Sequence, residues 1–110
     1  MITEVQKKLR AQKLHCLRKS FGFSPEHLIR DKHWKSCISL NTLKEIHTYK
    51  DFETGKRELK DELLHSIAKA FGIEQELLFD EWSLEDFEVM ITEIGNEFQI
   101  QGRSELPYSS

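Results

Sequence analysis

Apolar residues recur at helical spacing along most of the chain, and this pattern predicts helices rather than strands. Residues 3–20 place apolar positions between lysines and arginines, which is typical of a basic amphipathic helix that ends at Gly22. A short second helix is predicted over residues 25–33. Its start is marked by Ser24, a capping residue, and by Pro25, which suits the first helical turn.

Three further helices are predicted in the middle of the chain. Apolar residues at every third position predict a helix over 40–52, with Ser39 as its cap and Gly55 just beyond its end. Two more helices follow, over residues 59–71 and 75–79. No strand with clear alternation is found, so the predicted fold class is all-α.

The C-terminal part predicts one more amphipathic helix, starting after a capping Ser83. Its apolar positions alternate between spacings of three and four, a narrow seam typical of a helix–helix contact. The seam consists of Leu84, Phe87, Ile91, Ile94 and Phe98. Two interpretations are open: the seam forms a dimerisation helix, or it folds back and completes the core of its own domain. The polar residues 99–110 are expected to fray.

Charge is distributed unevenly along the 110 residues, a length that suits one domain. The formal net charge of −3 by itself argues against a nucleic-acid binder. Residues 1–60, however, carry 14 Lys/Arg against 7 Asp/Glu, a net of +7, whereas residues 61–110 carry 2 against 12, a net of −10. Such asymmetry between halves indicates either a nucleic-acid face or a charged tail.

Several protein classes are excluded by what the sequence lacks. No apolar run approaches the ~20 residues of a membrane span, and the charged N-terminus lacks the apolar block of a signal peptide. Two cysteines make no disulfide framework, so a reduced, cytoplasmic protein is expected. No metal, cofactor or catalytic activity is expected, because no zinc-type spacing, phosphate loop or nucleophile motif occurs. The candidate metal ligands, none of which has this spacing, are His15, Cys16, His33 and Cys37.

A longer motif runs from the end of the predicted third helix to the end of the predicted fifth helix. Residues 52–57 read Phe-Glu-Thr-Gly-Lys-Arg, residues 62–73 read Glu-Leu-Leu-His-Ser-Ile-Ala-Lys-Ala-Phe-Gly-Ile, and residues 76–79 read Glu-Leu-Leu-Phe. This run resembles the second half of the Cro/XRE-type (lambda-repressor-like) helix-turn-helix domain, in which a Glu-x-Gly-Lys-Arg turn follows the recognition helix. Residues 23–29 are similar to the start of helix two in that family.

The resemblance covers about residues 5–80 and implies a fold and its boundaries. We expect a compact five-helix domain over 1–80, a C-terminal helix over 81–98 and a polar tail over 99–110. The chain departs from the family in having no glycine in the turn between helices two and three. It is also about ten residues longer than usual between Ile29 and Glu53. If Ser39 matches the capping serine of the family, the recognition helix is extended and reaches Phe52.

The resemblance implies that the helix over 40–52 enters the major groove, where side chains read base edges. The expected base contacts are Asn41, Thr42, Lys44, Glu45, His47 and Thr48. The expected phosphate contacts, which give affinity without sequence choice, are Ser24, Lys35, Lys50, Lys56 and Arg57. Four residues of the first helix would join them if that face points at the duplex: Lys7, Lys8, Arg10 and Lys13.

Two functions follow as hypotheses. The first is a sequence-specific transcriptional regulator of bacterial or phage type that binds double-stranded DNA as a homodimer. The second is a protein-interaction module on the same fold, such as an antirepressor, an antitoxin or an inhibitor of a host protein, that does not bind DNA itself. The altered turn, the Pro25 that replaces the glutamine usual in the family and the acidic half motivate this alternative.

Overall fold

The computed structural model describes residues 2–38 and 45–106, and within these ranges the chain is helical without strands. The all-α prediction is confirmed. The elements are α1 (Glu4–Ser20), α2 (Pro25–Arg30), α3 (Lys32–Cys37), α4 (Ile46–Thr54), α5 (Asp61–Phe71), a 3₁₀ helix (Gln75–Leu78) and α6 (Leu84–Ile100).

The helix ends follow local capping chemistry. The hydroxyls of Ser24 and Ser83 accept hydrogen bonds from the first turns of α2 and α6, at 3.1 and 3.2 Å, so both predicted caps are confirmed. Gly55 and Gly72 end α4 and α5 in the left-handed region, with φ of 83° and 73°. A backbone in this region favours glycine, which has no side chain to clash there.

The second predicted helix is divided into two. Asp31 is extended and ends α2, and its carboxylate accepts a hydrogen bond from the Trp34 backbone N–H at 2.9 Å, which starts α3. The prediction of one helix over 25–33 is therefore wrong in its end, and a helix occupies residues 34–37, where the sequence shows no clear period. Trp34 is fully buried, so tertiary packing accounts for this short helix.

The prediction of one continuous helix over 40–52 is also wrong. Glu45 has φ −111° and ψ 137°, an extended conformation, and α4 begins only at Ile46. The predicted cap Ser39 and residues 40–44 lie outside the described residues. Helix α4 has nine residues and ends at Thr54, two residues beyond the predicted end.

The seam of α6 packs against its own domain. Phe87, Ile91 and Phe98 are at most 1% exposed and belong to the same core as Leu14 and Leu17 of α1. The centre of the predicted seam is thus part of the core of its own domain. Because these three side chains are buried, the centre of the predicted seam offers no exposed apolar surface to a second copy of the chain.

The chain end is held in place as far as residue 106, so the prediction that residues 99–110 fray is wrong over this part. Gly102, with φ 71°, reverses the chain after α6. Leu106 is only 7% exposed, and its backbone N–H donates a hydrogen bond to Asp31 Oδ2 at 3.1 Å. Residues 107–110 lie outside the described part of the chain.

Candidate nucleic-acid interface

Helix α4 presents one side to the core and a polar side outward. It packs against α1 and α2, and the inward side chains of Tyr49 and Phe52 are buried. Residues three and four apart share a face of a helix, so the side opposite to this pair carries a continuous stripe. We call these residues the α4 stripe: His47, Lys50, Asp51 and Thr54, of which only Asp51 is half-buried.

The predicted base-contact residues are only partly on this stripe. Asn41, Thr42 and Lys44 lie outside the described residues. Glu45 and His47 are exposed at the start of α4. The Thr48 hydroxyl donates to the Glu45 carbonyl oxygen at 3.2 Å, so it contributes to the first helical turn.

Two members of the stripe, Asp51 and Thr54, were not predicted from the sequence. Lys50 was predicted only as a phosphate contact. Once α4 is known to begin at Ile46, the spacing from His47 selects the positions of the stripe. The missing signal was therefore the helix start, not the side-chain pattern.

All predicted phosphate contacts are exposed, and two of them have acidic neighbours. The set is Ser24, Lys35, Lys50, Lys56 and Arg57. Lys50 Nζ lies 4.0 Å from Glu26 Oε1, and Arg57 Nε lies 3.7 Å from Asp51 Oδ2. Exposed pairs at these distances are weak, so both cations remain available to an anionic partner.

The basic surface continues onto the start of α1. Lys7 and Lys8 line a surface cavity of about 360 Å³ together with Thr54 and Gly55 at the end of α4. Gly55 also marks the backbone turn that leads to Lys56. The first lysines of α1 therefore border the C-terminal end of the α4 stripe.

Arg10 cannot contribute to this surface, although it was considered as a phosphate contact. It is 4% exposed, and its guanidinium donates to Asp80 at 2.9 and 3.2 Å and to the Leu59 carbonyl oxygen at 2.8 Å. It also lies 3.0 Å from Asp61 Oδ1. Three of its polar contacts thus join the basic half of the sequence to the acidic half.

Lys13 is likewise unavailable, with 0% exposure. Its ammonium donates to the carbonyl oxygens of Leu77 and Phe79 at 3.1 and 2.6 Å, and it lies over the Phe87 ring. Burial lowers the pKa of this lysine. The basic character of α1 is therefore partly an internal feature that joins α1 to the 3₁₀ helix and α6.

Glu53 is the centre of a buried polar network, here called the Glu53 network. Arg18 donates to its two carboxylate oxygens at 2.7 and 3.1 Å, and the Tyr49 hydroxyl donates to Oε2. His15 Nδ1 lies 2.8 Å from Oε1. The glutamate of the Glu-Thr-Gly segment therefore joins α4 to α1 and does not face outward.

Both acidic partners, Glu53 and Asp80, are held in their charged form. Burial of the Glu53 carboxyl acts to raise its pKa, but the hydrogen bonds with Arg18, Tyr49 and His15 outweigh it, and the pKa lies below its ordinary value of 4.5. Hydrogen bonds from Arg10 lower the pKa of Asp80 below its ordinary value of 3.8. Both ion pairs therefore favour folding at neutral pH.

We expect the fold to lose stability in acid. A carboxyl whose pKa is lowered by folding stabilises the native state above its ordinary pKa, and this stabilisation is lost as the pH falls through the lower, folded value. The free energy of unfolding in urea should thus be constant from pH 7 to about 5 and fall below about pH 4. The double variant Glu53→Gln, Asp80→Asn should flatten this fall. An equally steep fall in the variant would contradict the assignment.

Comparison with protein-family models, with curated proteins and with solved structures finds no match for this chain. In the described ranges, no group of three or more His, Cys, Asp and Glu side chains is arranged to hold a metal ion. Nor does any described helix have the length and apolar character needed to cross a membrane. The family resemblance therefore rests on the quoted motif residues and stays a prediction.

Proposed function

We propose that this protein binds double-stranded DNA by inserting α4 into the major groove, and that it acts as a transcriptional regulator. The observation that carries the proposal is the α4 stripe, an outward polar face on a helix that packs against both α1 and α2. An α-helix of this kind fits the major groove. A regulator of this type binds a two-fold site, so the proposal includes a homodimer.

The chemistry of the α4 stripe suits base recognition. Lys50 offers a donor to guanine O6 and N7, and Asp51 offers an acceptor to the cytosine amino group. His47 and Thr54 extend the readable surface to both ends of α4. Asn41, Thr42 and Lys44 precede α4 and remain proposed contacts with the same groove.

Phosphate contacts are assigned to the basic residues around the stripe. Lys56 and Arg57 follow the end of α4, and Lys7 and Lys8 border it across the surface of α1. Exposed cations that flank a groove-binding helix position it on the duplex without reading sequence. Lys35 and Ser24 remain proposed contacts on α3 and at the start of α2.

The double variant Lys56→Gln, Arg57→Gln tests this assignment. We expect it to weaken binding to every duplex sequence alike and to reduce the magnitude of the salt slope, log K against log [salt], by roughly 2. Fluorescence anisotropy at several salt concentrations measures both quantities. Lys69→Gln, an exposed lysine of α5, is the matched control and should leave the slope unchanged. An unaltered slope in the double variant would remove these residues from the interface.

A second variant should act in the opposite direction. Asp51→Asn removes a negative charge from the α4 stripe and releases Arg57, so affinity for random-sequence DNA should rise roughly 3- to 10-fold at low salt. Glu93→Gln removes an exposed carboxylate from α6 and should have no such effect. Equal changes in the two variants would mean that only net charge matters and would argue against a role for the α4 stripe.

A protein-interaction module is the second candidate, and the outer side of α6 favours it. This helix has no Lys or Arg, and Val89 and Met90 are 66% and 37% exposed among its acidic side chains. The exposed acidic residues are Glu85, Asp86, Glu88, Glu93 and Glu97. Capture of a protein partner from lysate that survives nuclease treatment, with no DNA retained, would favour this function over DNA binding.

A further inference from the structure

Four basic side chains line a cavity where α2 meets α3. The cavity has a volume of about 190 Å³, and its lining includes His27, Arg30, Lys32 and His33 together with Asp31. No carboxylate of the described residues lies within ion-pair distance of Arg30 or Lys32. Neither cation is therefore held in an ion pair, unlike Arg10 and Arg18 of α1.

The C-terminal segment also lines this cavity. Ser104, Glu105 and Leu106 line it, and the segment is anchored by the buried Leu106 side chain and its N–H bond to Asp31. Asp31 itself is 7% exposed, and its second oxygen caps α3. Both α3 and the C-terminal segment are thus held by the same buried carboxylate.

From this geometry we infer a binding site for a phosphate group, here called the α2–α3 phosphate site. Arg30 supplies a planar guanidinium and Lys32 an ammonium, the two side chains that bind phosphate oxygens best. The imidazoles of His27 and His33 add hydrogen-bond donors, and Ser104 adds a hydroxyl. The cavity, at about 190 Å³, is large enough to admit a phosphate group.

Glu105 gives the site a distinctive property. It is exposed and lines the same cavity as the cations, and a carboxylate there repels an anion that enters. Since the segment is anchored at Leu106, Glu105 stays beside the site and weakens it. Removing this charge alone should therefore strengthen phosphate binding, an effect in the opposite direction to the loss of Arg30 or Lys32.

Titration of the full-length, isotope-labelled protein with inorganic phosphate, followed by NMR, tests the inference. Chloride is used to hold the ionic strength constant at pH 7. We expect saturable shifts confined to the amides of residues 27–33 and 103–106. Arg30→Gln, Lys32→Gln should weaken binding about tenfold or more, and Glu105→Gln should strengthen it. Lys69→Gln is the control and should match the wild type.

Two results would overturn the phosphate site. One is a set of shifts spread over all lysine-bearing surfaces without saturation, and the other is unchanged binding in the Arg30, Lys32 double variant. A second measurement, the binding of a DNA duplex by the wild type and the double variant, identifies the source of the phosphate. If the site takes a DNA phosphodiester, the double variant also weakens duplex binding and inorganic phosphate competes with DNA. If the site takes a free phosphate compound, the double variant loses phosphate binding but keeps the duplex affinity of the wild type. This inference does not depend on α4 binding DNA.

Discussion

Replacing Glu53 with alanine should lower the free energy of unfolding by about 3–5 kcal/mol. The substitution leaves the Arg18 guanidinium buried with only the Phe23 carbonyl oxygen, 2.7 Å away, as a strong partner. It also removes the acceptor of the Tyr49 hydroxyl, whose side chain is fully buried. Removing one partner of a buried ion pair is costly because the other charge stays out of water.

Two comparisons separate this effect from a general loss of a carboxylate. Glu58→Ala, at an exposed position three residues after Gly55, should change stability by about 0.5 kcal/mol or less. Glu53→Leu combined with Arg18→Met removes both charges and should recover much of the loss. Chemical denaturation at pH 7 measures all four proteins. A Glu53→Ala variant as stable as the wild type would show that the network does not join α4 to α1.

Gly95→Ala should destabilise the protein by roughly 1–3 kcal/mol or more, because α6 crosses α1 very closely at this glycine. A methyl group there would lie 2.2 Å from the Ser20 carbonyl oxygen and 2.6 Å from its carbon, both of them backbone atoms that cannot rotate away. In an open helix the same change would stabilise by about 1 kcal/mol, so the sign of the effect reports the packing.

The matched control is Asn96→Ala, at the next residue of α6 and on its exposed side. It should have a small or slightly stabilising effect, since alanine has the higher helix propensity. Thermal unfolding of both variants gives the comparison. If Gly95→Ala proved as stable as Asn96→Ala, the close contact between α1 and α6 would be contradicted, and with it the core-completing role of α6.

Local chemistry explains which helix boundaries could be predicted. Ser24, Ser83, Gly55 and Gly72 act within one or two residues of themselves, so a short stretch of sequence contains the whole signal. The start of α4 has no such signal, because Glu45 makes no side-chain cap. Apolar residues recur at every third position before Ile46, so the predicted helix began at residue 40, earlier than the observed start of α4.

Buried charges were the main feature that the sequence could not reveal. Arg10, Lys13 and Arg18 have the spacing of a solvated helix face, yet each is at most 8% exposed. Their partners, Asp80 and the Leu77 and Phe79 carbonyls among them, are about 60 to 70 residues away in sequence or belong to backbone that any sequence supplies. Only the tertiary fold brings them together, so part of the contrast between a basic and an acidic half is internal.

The end of α4 could be predicted more closely than its start. The Glu-Thr-Gly segment marks the predicted helix end, and α4 stops at Thr54 with Gly55 as its cap. The contacts predicted at residues 41–48 stay predictions, since residues 39–44 lie outside the described residues. The α4 stripe shifts the expected contacts toward Lys50, Asp51 and Thr54.

Selection of bound fragments from a pool of random duplexes, at low and at moderate salt, tests the central proposal most directly. If α4 reads DNA, the full-length protein should enrich one short motif at both salt concentrations. Lys50→Ala with His47→Ala should lose the motif while keeping much of its affinity for random DNA. Enrichment of no sequence by the wild-type protein, even at low salt, would contradict the proposal that α4 makes this protein a sequence-specific DNA binder.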